Sequence, residues 1–173
     1  MRTVVIVLLG PPGSGKSSVG AELGELGFRW REWEPELLVR WGSRDRFVER
    51  KTDALAWLDA SRLAFIEEGP GCAVIESTGL SDGAFLDGLS RHCVFVARLD
   101  VTEDAALERI GRRPAGRHLS DDLEANRRAW RAFDEHVRPF RRAQVVIPTD
   151  VVSPKEAAVR IARAFRAFES EQA

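Results

Sequence analysis

Gly10-Pro11-Pro12-Gly13-Ser14-Gly15-Lys16-Ser17 fits the phosphate-binding pattern G-x-x-x-x-G-K-[ST] at every fixed position. It follows the apolar run Val4-Val5-Ile6-Val7-Leu8-Leu9, which lacks alternation and reads as a buried parallel strand. It precedes a segment with Val19, Leu23 and Leu26 at helical spacing. A loop between such a strand and such a helix aims backbone N–H groups and the positive end of the helix dipole at one point. A triphosphate is the natural occupant. Gly10, Gly13 and Gly15 let the chain curl close to phosphate oxygens, Lys16 supplies a compact charge, and the Ser17 hydroxyl is placed for Mg²⁺. Only three of the 26 basic residues are lysines (Lys16, Lys51, Lys155), so lysine is kept where an ammonium is needed.

Working outward, strand and helix patterns alternate. The expectation is an α/β fold with three layers, a five-stranded parallel sheet with helices on both faces. Strands are expected at 4–9, 28–33, 72–75, 92–99 and 145–147. Pro35 opens a helix that Gly42-Ser43-Arg44-Asp45 ends, and Thr52-Asp53 starts a longer one with Leu55, Leu58, Leu63 and Ile66 inward. Ser81-Asp82 begins a short helix, and Thr102 caps the helix after strand four. Gly111 to His118 reads as a basic loop and Ser120 as a cap for a long helix. Ser153-Pro154-Lys155-Glu156 forms a capping box.

Length and charge set further bounds. The 173 residues suit one domain, and 26 basic against 27 acidic residues leave no bulk field for nucleic acid or membrane. No run approaches the length needed to span a bilayer, and the first apolar run leads into glycines rather than a cleavage site, so the expected location is cytoplasmic. Cys72 and Cys93 adjoin apolar runs and are expected as buried reduced thiols. Either a monomer or a homodimer is compatible with the chain.

Three more constellations carry chemistry. Glu76 ends the run Ala73-Val74-Ile75, at the sheet edge that faces the phosphate loop, and is a candidate for Mg²⁺ through water; Ser77 and Thr78 follow it. Glu32 and Glu34 flank Trp33, and strand alternation puts both carboxylates on one side, suited to a general base beside the metal. Arg109, Arg112, Arg113 and Arg117 crowd a loop bearing Gly and Pro, as a mobile cover for transferring phosphoryl charge would. Between Trp30 and Trp57, aromatic and basic residues interleave, so that Trp33 and Trp41 suit a ring and Arg50 an anionic group.

The phosphate loop, the acidic pair and the chain's last strand and helix together resemble the P-loop small-molecule kinases, most of all the shikimate kinase group, over nearly the whole chain. The resemblance implies transfer of the γ-phosphoryl group of ATP, with Mg²⁺, to a small-molecule acceptor. It implies a nucleotide set of Gly10, Gly13, Ser14, Gly15, Lys16, Ser17 and Ser18, with Arg109 and Arg113, and Pro148 and Thr149 bordering adenine. Glu32 would orient the acceptor hydroxyl and Glu34 would lie near the metal, with Ser17 and Glu76. Arg46 or Arg50 would hold an acceptor anion, Thr78 and Gly79 would touch the acceptor, and Arg113 or Arg117 would be the arginine of a lid at about 111–119. The acceptor-binding region would span about 33–68. This chain has glutamates where that group has an Asp-x-Asp pair, and Glu76-Ser77-Thr78-Gly79 where it has a glycine triplet. These departures imply an acceptor hydroxyl other than that of shikimate. The alternatives are a nucleoside or nucleotide acceptor, a P-loop NTPase without an acceptor, and a nucleotide-binding regulatory module.

Overall fold

The first strand fills the middle of the sheet because its neighbours cover it on both edges and both faces. In a computed structural model, which describes residues 3–42, 44–114, 118 and 120–172, β1 (Val4–Leu9) pairs in parallel with β3 (Ala73–Ser77) and β4 (Cys93–Asp100). β2 (Arg29–Trp30) and β5 (Val145–Pro148) form the edges, in the order β2-β3-β1-β4-β5. All pairings are parallel, as the unbroken apolar runs require.

Helices lie on both faces. Ile6 and Leu8 join Val74, Phe95 and Leu99 beneath α1 (Lys16–Glu25) and α8 (Pro154–Gln172), where Val19, Leu23, Ile161 and Phe165 are buried. Val5, Val7 and Leu9 point the other way, against Ile66 of α4 (Lys51–Glu67), Phe85 of α5 (Gly83–Gly88) and Phe133 of α7 (Leu123–His136). A third cluster of Trp33, Leu37 and Leu58, with Phe47, Trp57 and Phe65 against it, joins α2 (Glu34–Trp41) and α3 (Arg44–Glu49) to α4. The remaining helix, α6 (Glu103–Gly111), follows β4 and starts at Thr102, whose hydroxyl accepts from the Ala105 amide at 3.4 Å.

Several boundaries depart from the sequence reading, each for a local reason. The second strand stops at Trp30 rather than Trp33, because Pro35 and the acidic residues Glu34 and Glu36 begin a helix there. Gly42, at φ 73°, does end α2, but Arg44–Glu49 then forms a short helix that the turn residues had concealed. Asp122, not Ser120, caps α7, accepting from the Glu124 and Ala125 amides at 2.9 and 3.1 Å. The third strand runs through Glu76 and Ser77. Cys72 and Cys93 are free thiols and only partly buried; burial pushes the Cys72 thiol up to about 12. Among the described residues, no helix is long and apolar enough to cross a membrane.

Candidate active site

The register places β1 beside β3 so that Leu8 pairs with Glu76 and Leu9 with Ser77. The chain leaving β1 therefore turns directly past the Glu76 carboxylate, and the Gly10 amide donates to the Ser77 carbonyl at 3.1 Å. Gly13 and Gly15 take φ of 79° and 86°, a region in which a Cβ is strained. At Gly13 space is also short: a Cβ would sit 2.5 Å from the Ala106 carbonyl oxygen of α6. The loop is thus closed over α6 on one side and opens at the start of α1.

Lys16 donates to the carbonyls of Gly10 and Pro11 at 2.8 and 2.9 Å. Burial is the main reason its ammonium is held down at about 8, with the Glu76 carboxylate opposing that and Arg113 adding to it. Ser14 is fully buried, and its Oγ has no hydrogen-bond partner among the described residues. Here the α1 N-terminus has no side-chain cap, so its first amides are left without a side-chain acceptor beside the cavity that Gly13, Gly15, Lys16, Ser17 and Ser18 line. That fits a polyphosphate.

Glu76 is the other pole. Its two oxygens accept from Ser17 Oγ at 3.0 Å and from Trp30 Nε1 at 3.1 Å. Burial raises its pKa, while Lys16, Trp30 and Ser17 pull it back down. The indole reaches the carboxylate only because α1 carries Gly20 there: a Cβ on Gly20 would lie 2.0 Å from Trp30 Nε1. Ser17 and Glu76 side by side next to the loop suit Mg²⁺, which takes few protein ligands and keeps waters and phosphate oxygens. Consistently, no group of three or more His, Cys, Asp or Glu side chains forms a self-sufficient metal cage among the described residues.

Two cavities meet at Lys16 and Ser17. One, of about 520 Å³, runs from Pro12, Gly13 and Ser18 past Glu32, Glu34, Glu76 and Thr78 to Arg113, His118, Ser120 and Asn126. The other, of about 210 Å³, continues between Glu32, Trp33, Glu34, Leu37, Phe47, Leu55, Leu58, Arg62, Glu76, Thr78 and Asp82. Glu32 and Glu34 thus do face one cleft, although Glu34 belongs to a helix rather than a strand, and Glu34 Oε2 lies 3.0 Å from His118 Nδ1. A third cavity of about 180 Å³ lies behind the loop, lined by Ser14, Gly15, Ser18, Arg109, Thr149, Val152 and Pro154. Arg109 spans its mouth, donating to Gly13 O at 3.3 Å and to Thr149 O at 2.5 Å.

The sequence-derived residues are therefore brought together with a few exceptions. Pro148 ends β5 opposite Asp100 and does not line the cavity behind the loop; Val152 and Pro154 do. Gly79 also stays out of the cleft. Its φ is 70°, its amide donates to Ser77 Oγ and Asp82 Oδ1 at 2.8 and 3.0 Å, and it packs on Val137. Arg46 and Arg50 line a separate depression with Arg40, Trp41 and Trp57, and Arg50 approaches Asp53 at 3.8 Å. Arg117 falls outside the described residues.

Two contributors escaped the sequence reading. Arg62, only 7% exposed, pairs with Asp82 at 2.9 Å and donates to the Glu76 carbonyl at 2.8 Å. Asp82 in turn accepts from Ser77 Oγ at 3.0 Å, so a buried ionic knot fixes the end of β3. A charged residue spaced four from Leu58 and four from Ile66, inside an apolar stripe, was the available signal. Trp30 lies 46 positions from Glu76, and nothing local announces their contact.

The chain matches no protein-family model and no curated protein. Solved structures are similar over almost its full length. A shikimate kinase from Acinetobacter baumannii in complex with shikimate is 21% identical with a TM-score of 0.64, covering 94% of this chain and 93% of that one. A gluconokinase from Sinorhizobium meliloti 1021 is 20% identical with a TM-score of 0.62, covering 99% and 97%. A deoxyadenosine kinase from M. mycoides with bound dATP is 16% identical with a TM-score of 0.59, covering 94% and 99%. These likenesses show the fold: this chain has the α/β fold, a five-stranded parallel sheet with helices on both faces, of solved structures whose names span kinases of an acid, a sugar acid and a nucleoside.

Proposed function

We propose that this protein transfers the γ-phosphoryl group of ATP to a hydroxyl of a small molecule. The observation that carries the reading is the meeting of two cavities at Lys16 and Ser17, one ending at Arg113 and the other among Glu32, Glu34 and Thr78. Kinases acting on shikimate, gluconate and deoxyadenosine share the fold, which agrees with it.

Residue roles follow from position. The loop amides from Gly10 to Ser18 and the Lys16 ammonium take the phosphates, and Arg113 closes on the transferring group from the far side. The adenine lies toward Arg109, Thr149 and Pro154. Ser17, with Glu76 behind it, would hold Mg²⁺, which would supply neutralisation of phosphate charge. Trp30 and Ser17 keep the Glu76 carboxylate turned to that point. Glu32 accepts the proton of the acceptor hydroxyl, and Glu34 and Thr78 orient the acceptor. Most of the catalysis is positioning and charge neutralisation, because phosphoryl transfer asks little covalent chemistry of the protein.

The test is an ATP-consumption screen over sugars, hydroxy acids, nucleosides and amino alcohols, with product mass measured. A product heavier by one phosphoryl group, lost in Lys16→Ala and strongly slowed in Glu32→Gln, is expected. Full ATP turnover without any acceptor would replace this reading with that of an NTPase.

A further inference from the structure

Asn126 stands near the start of α7, on the wall of the 520 Å³ cavity that the phosphate loop also lines. It is 7% exposed, and an amide so buried needs partners. Its nitrogen has them. Nδ2 donates to the Ser120 carbonyl at 3.0 Å and the Asp122 carbonyl at 2.9 Å, with Ser120 Oγ at 3.5 Å. Carbonyls only accept, so the pair fixes which way round the amide sits: nitrogen toward the chain entering α7, oxygen away from it. Oδ1 accepts from no donor among the described residues. Unlike Trp33 Nε1 it is not sealed inside protein, so the oxygen of a pinned amide looks into the cavity.

Whatever meets that oxygen has to bring a hydrogen. The phosphates of a nucleotide present acceptor oxygens, and so does a carboxylate. Either would set lone pairs against Oδ1, and a buried hydrogen bond left unmade costs more than a made one gains. An ether oxygen or a hydrocarbon edge would leave it empty. The neighbours narrow the choice. Arg113 and His118 bring nitrogens to the same wall, Glu32, Glu34 and Glu76 bring carboxylates, and Thr78 and Ser120 bring hydroxyls. Such a mixed wall suits hydroxyl groups, each of which donates one hydrogen and accepts as well. One hydroxyl takes the phosphoryl group. Another on the same molecule is left to meet Asn126.

We infer that Asn126 is a specificity-determining residue of the acceptor site, its Oδ1 accepting from a second hydroxyl, and that the acceptor is a polyol. This inference rests on the kinase reading and narrows its substrate class. One neutral hydrogen bond made in a desolvated cleft supplies about three- to tenfold in affinity.

The test separates the inference from the reading beneath it. Wild-type protein is loaded with Mg²⁺ and a non-hydrolysable ATP analogue, whose own stabilisation of the fold reports on nucleotide binding. Three trans-2-substituted cyclohexanols (hydroxyl, methoxy or carboxylate) are then titrated, with binding followed by ligand-observed NMR. The diol should bind about three- to tenfold tighter than the methoxy compound, which keeps the oxygen and lacks its hydrogen, and tighter than the carboxylate. The margin over the methoxy compound should vanish in Asn126→Ala. Asn126→Asp keeps an oxygen at that place and loses the Nδ2 donor, so it should retain the margin, whereas a role confined to holding the start of α7 makes the two variants alike. Equal binding of diol and methoxy compound by wild type, no binding of the diol, an unchanged margin in Asn126→Ala, or its loss in Asn126→Asp as well overturns the inference while leaving the nucleotide result intact. Absence of nucleotide stabilisation in wild type overturns the kinase reading itself.

Discussion

Replacing Gly20 by alanine should destabilise this protein, although helix propensity alone says the reverse. Gly20 is in the interior of α1, where Ala is favoured over Gly by about 1 kcal/mol. The structure puts the new Cβ 2.0 Å from Trp30 Nε1, 2.6 Å from Cδ1 and 2.7 Å from Cε2, so the indole has to move. Moving it breaks the 3.1 Å hydrogen bond to Glu76, a bond to a carboxylate worth about 1.5–3 kcal/mol. Repacking an overfilled contact adds about 1–3 kcal/mol. The net loss is then about 2–4 kcal/mol, which in a chain of 173 residues lowers Tm by roughly 4–15 °C. Urea denaturation of four proteins decides it: wild type, Gly20→Ala, Trp30→Ala and the double variant. In the Trp30→Ala background the obstacle is gone, and Gly20→Ala should turn stabilising by about 1 kcal/mol. If Gly20→Ala is neutral or stabilising in the wild-type background, the Trp30 contact does not hold Glu76 as described.

The other expectations are briefer. Asp82→Asn leaves the buried Arg62 cation with the Glu76 carbonyl at 2.8 Å and, among the described carboxylates, Asp59 at 3.8 Å, and should cost about 3 kcal/mol or more by denaturant titration; Arg62→Met with Asp82→Ala together should recover part of that. Gly13→Ala meets both a positive φ and the Ala106 carbonyl at 2.5 Å, whereas Gly15→Ala meets the φ alone, so the first should destabilise clearly more than the second by thermal melting. The Lys16 ammonium, held at about 8 in the fold against an ordinary 10.5, should lose its proton as pH rises past 8, so kcat/KM for ATP should fall on that limb. Between those two values the unfolded chain binds the extra proton, so ligand-free stability should gain from this group over the same window, opposite in sign to nucleotide binding.

How much of this was legible in the sequence depended on whether the signal was local. Gly10 to Ser17 lies between an unbroken apolar strand and a helix, so loop, sheet type and the position of Glu76 at a strand end all followed from neighbours in the chain. Glu32 and Glu34 were found for a partly mistaken reason: a strand was expected to align them, and instead the turn into α2 does so. The rest is tertiary. Trp30 meets Glu76 across 46 positions and Arg62 meets Asp82 across 20, and neither spacing carries a pattern. Arg50 looked like an anion binder because arginine among tryptophans suits one. Its helix entrance at the start of α4 turns it toward Asp53 instead, in a depression with Trp41 and Trp57.

The central claim is that the uncapped start of α1, with Lys16, receives the polyphosphate of a nucleotide. Calorimetric titration of wild type and Lys16→Ala with Mg-ATP tests it most directly. The account predicts saturable heat with one site in wild type and little or none in Lys16→Ala, with both proteins folded by circular dichroism. Equal binding by the two proteins, or no heat from wild type, would contradict it.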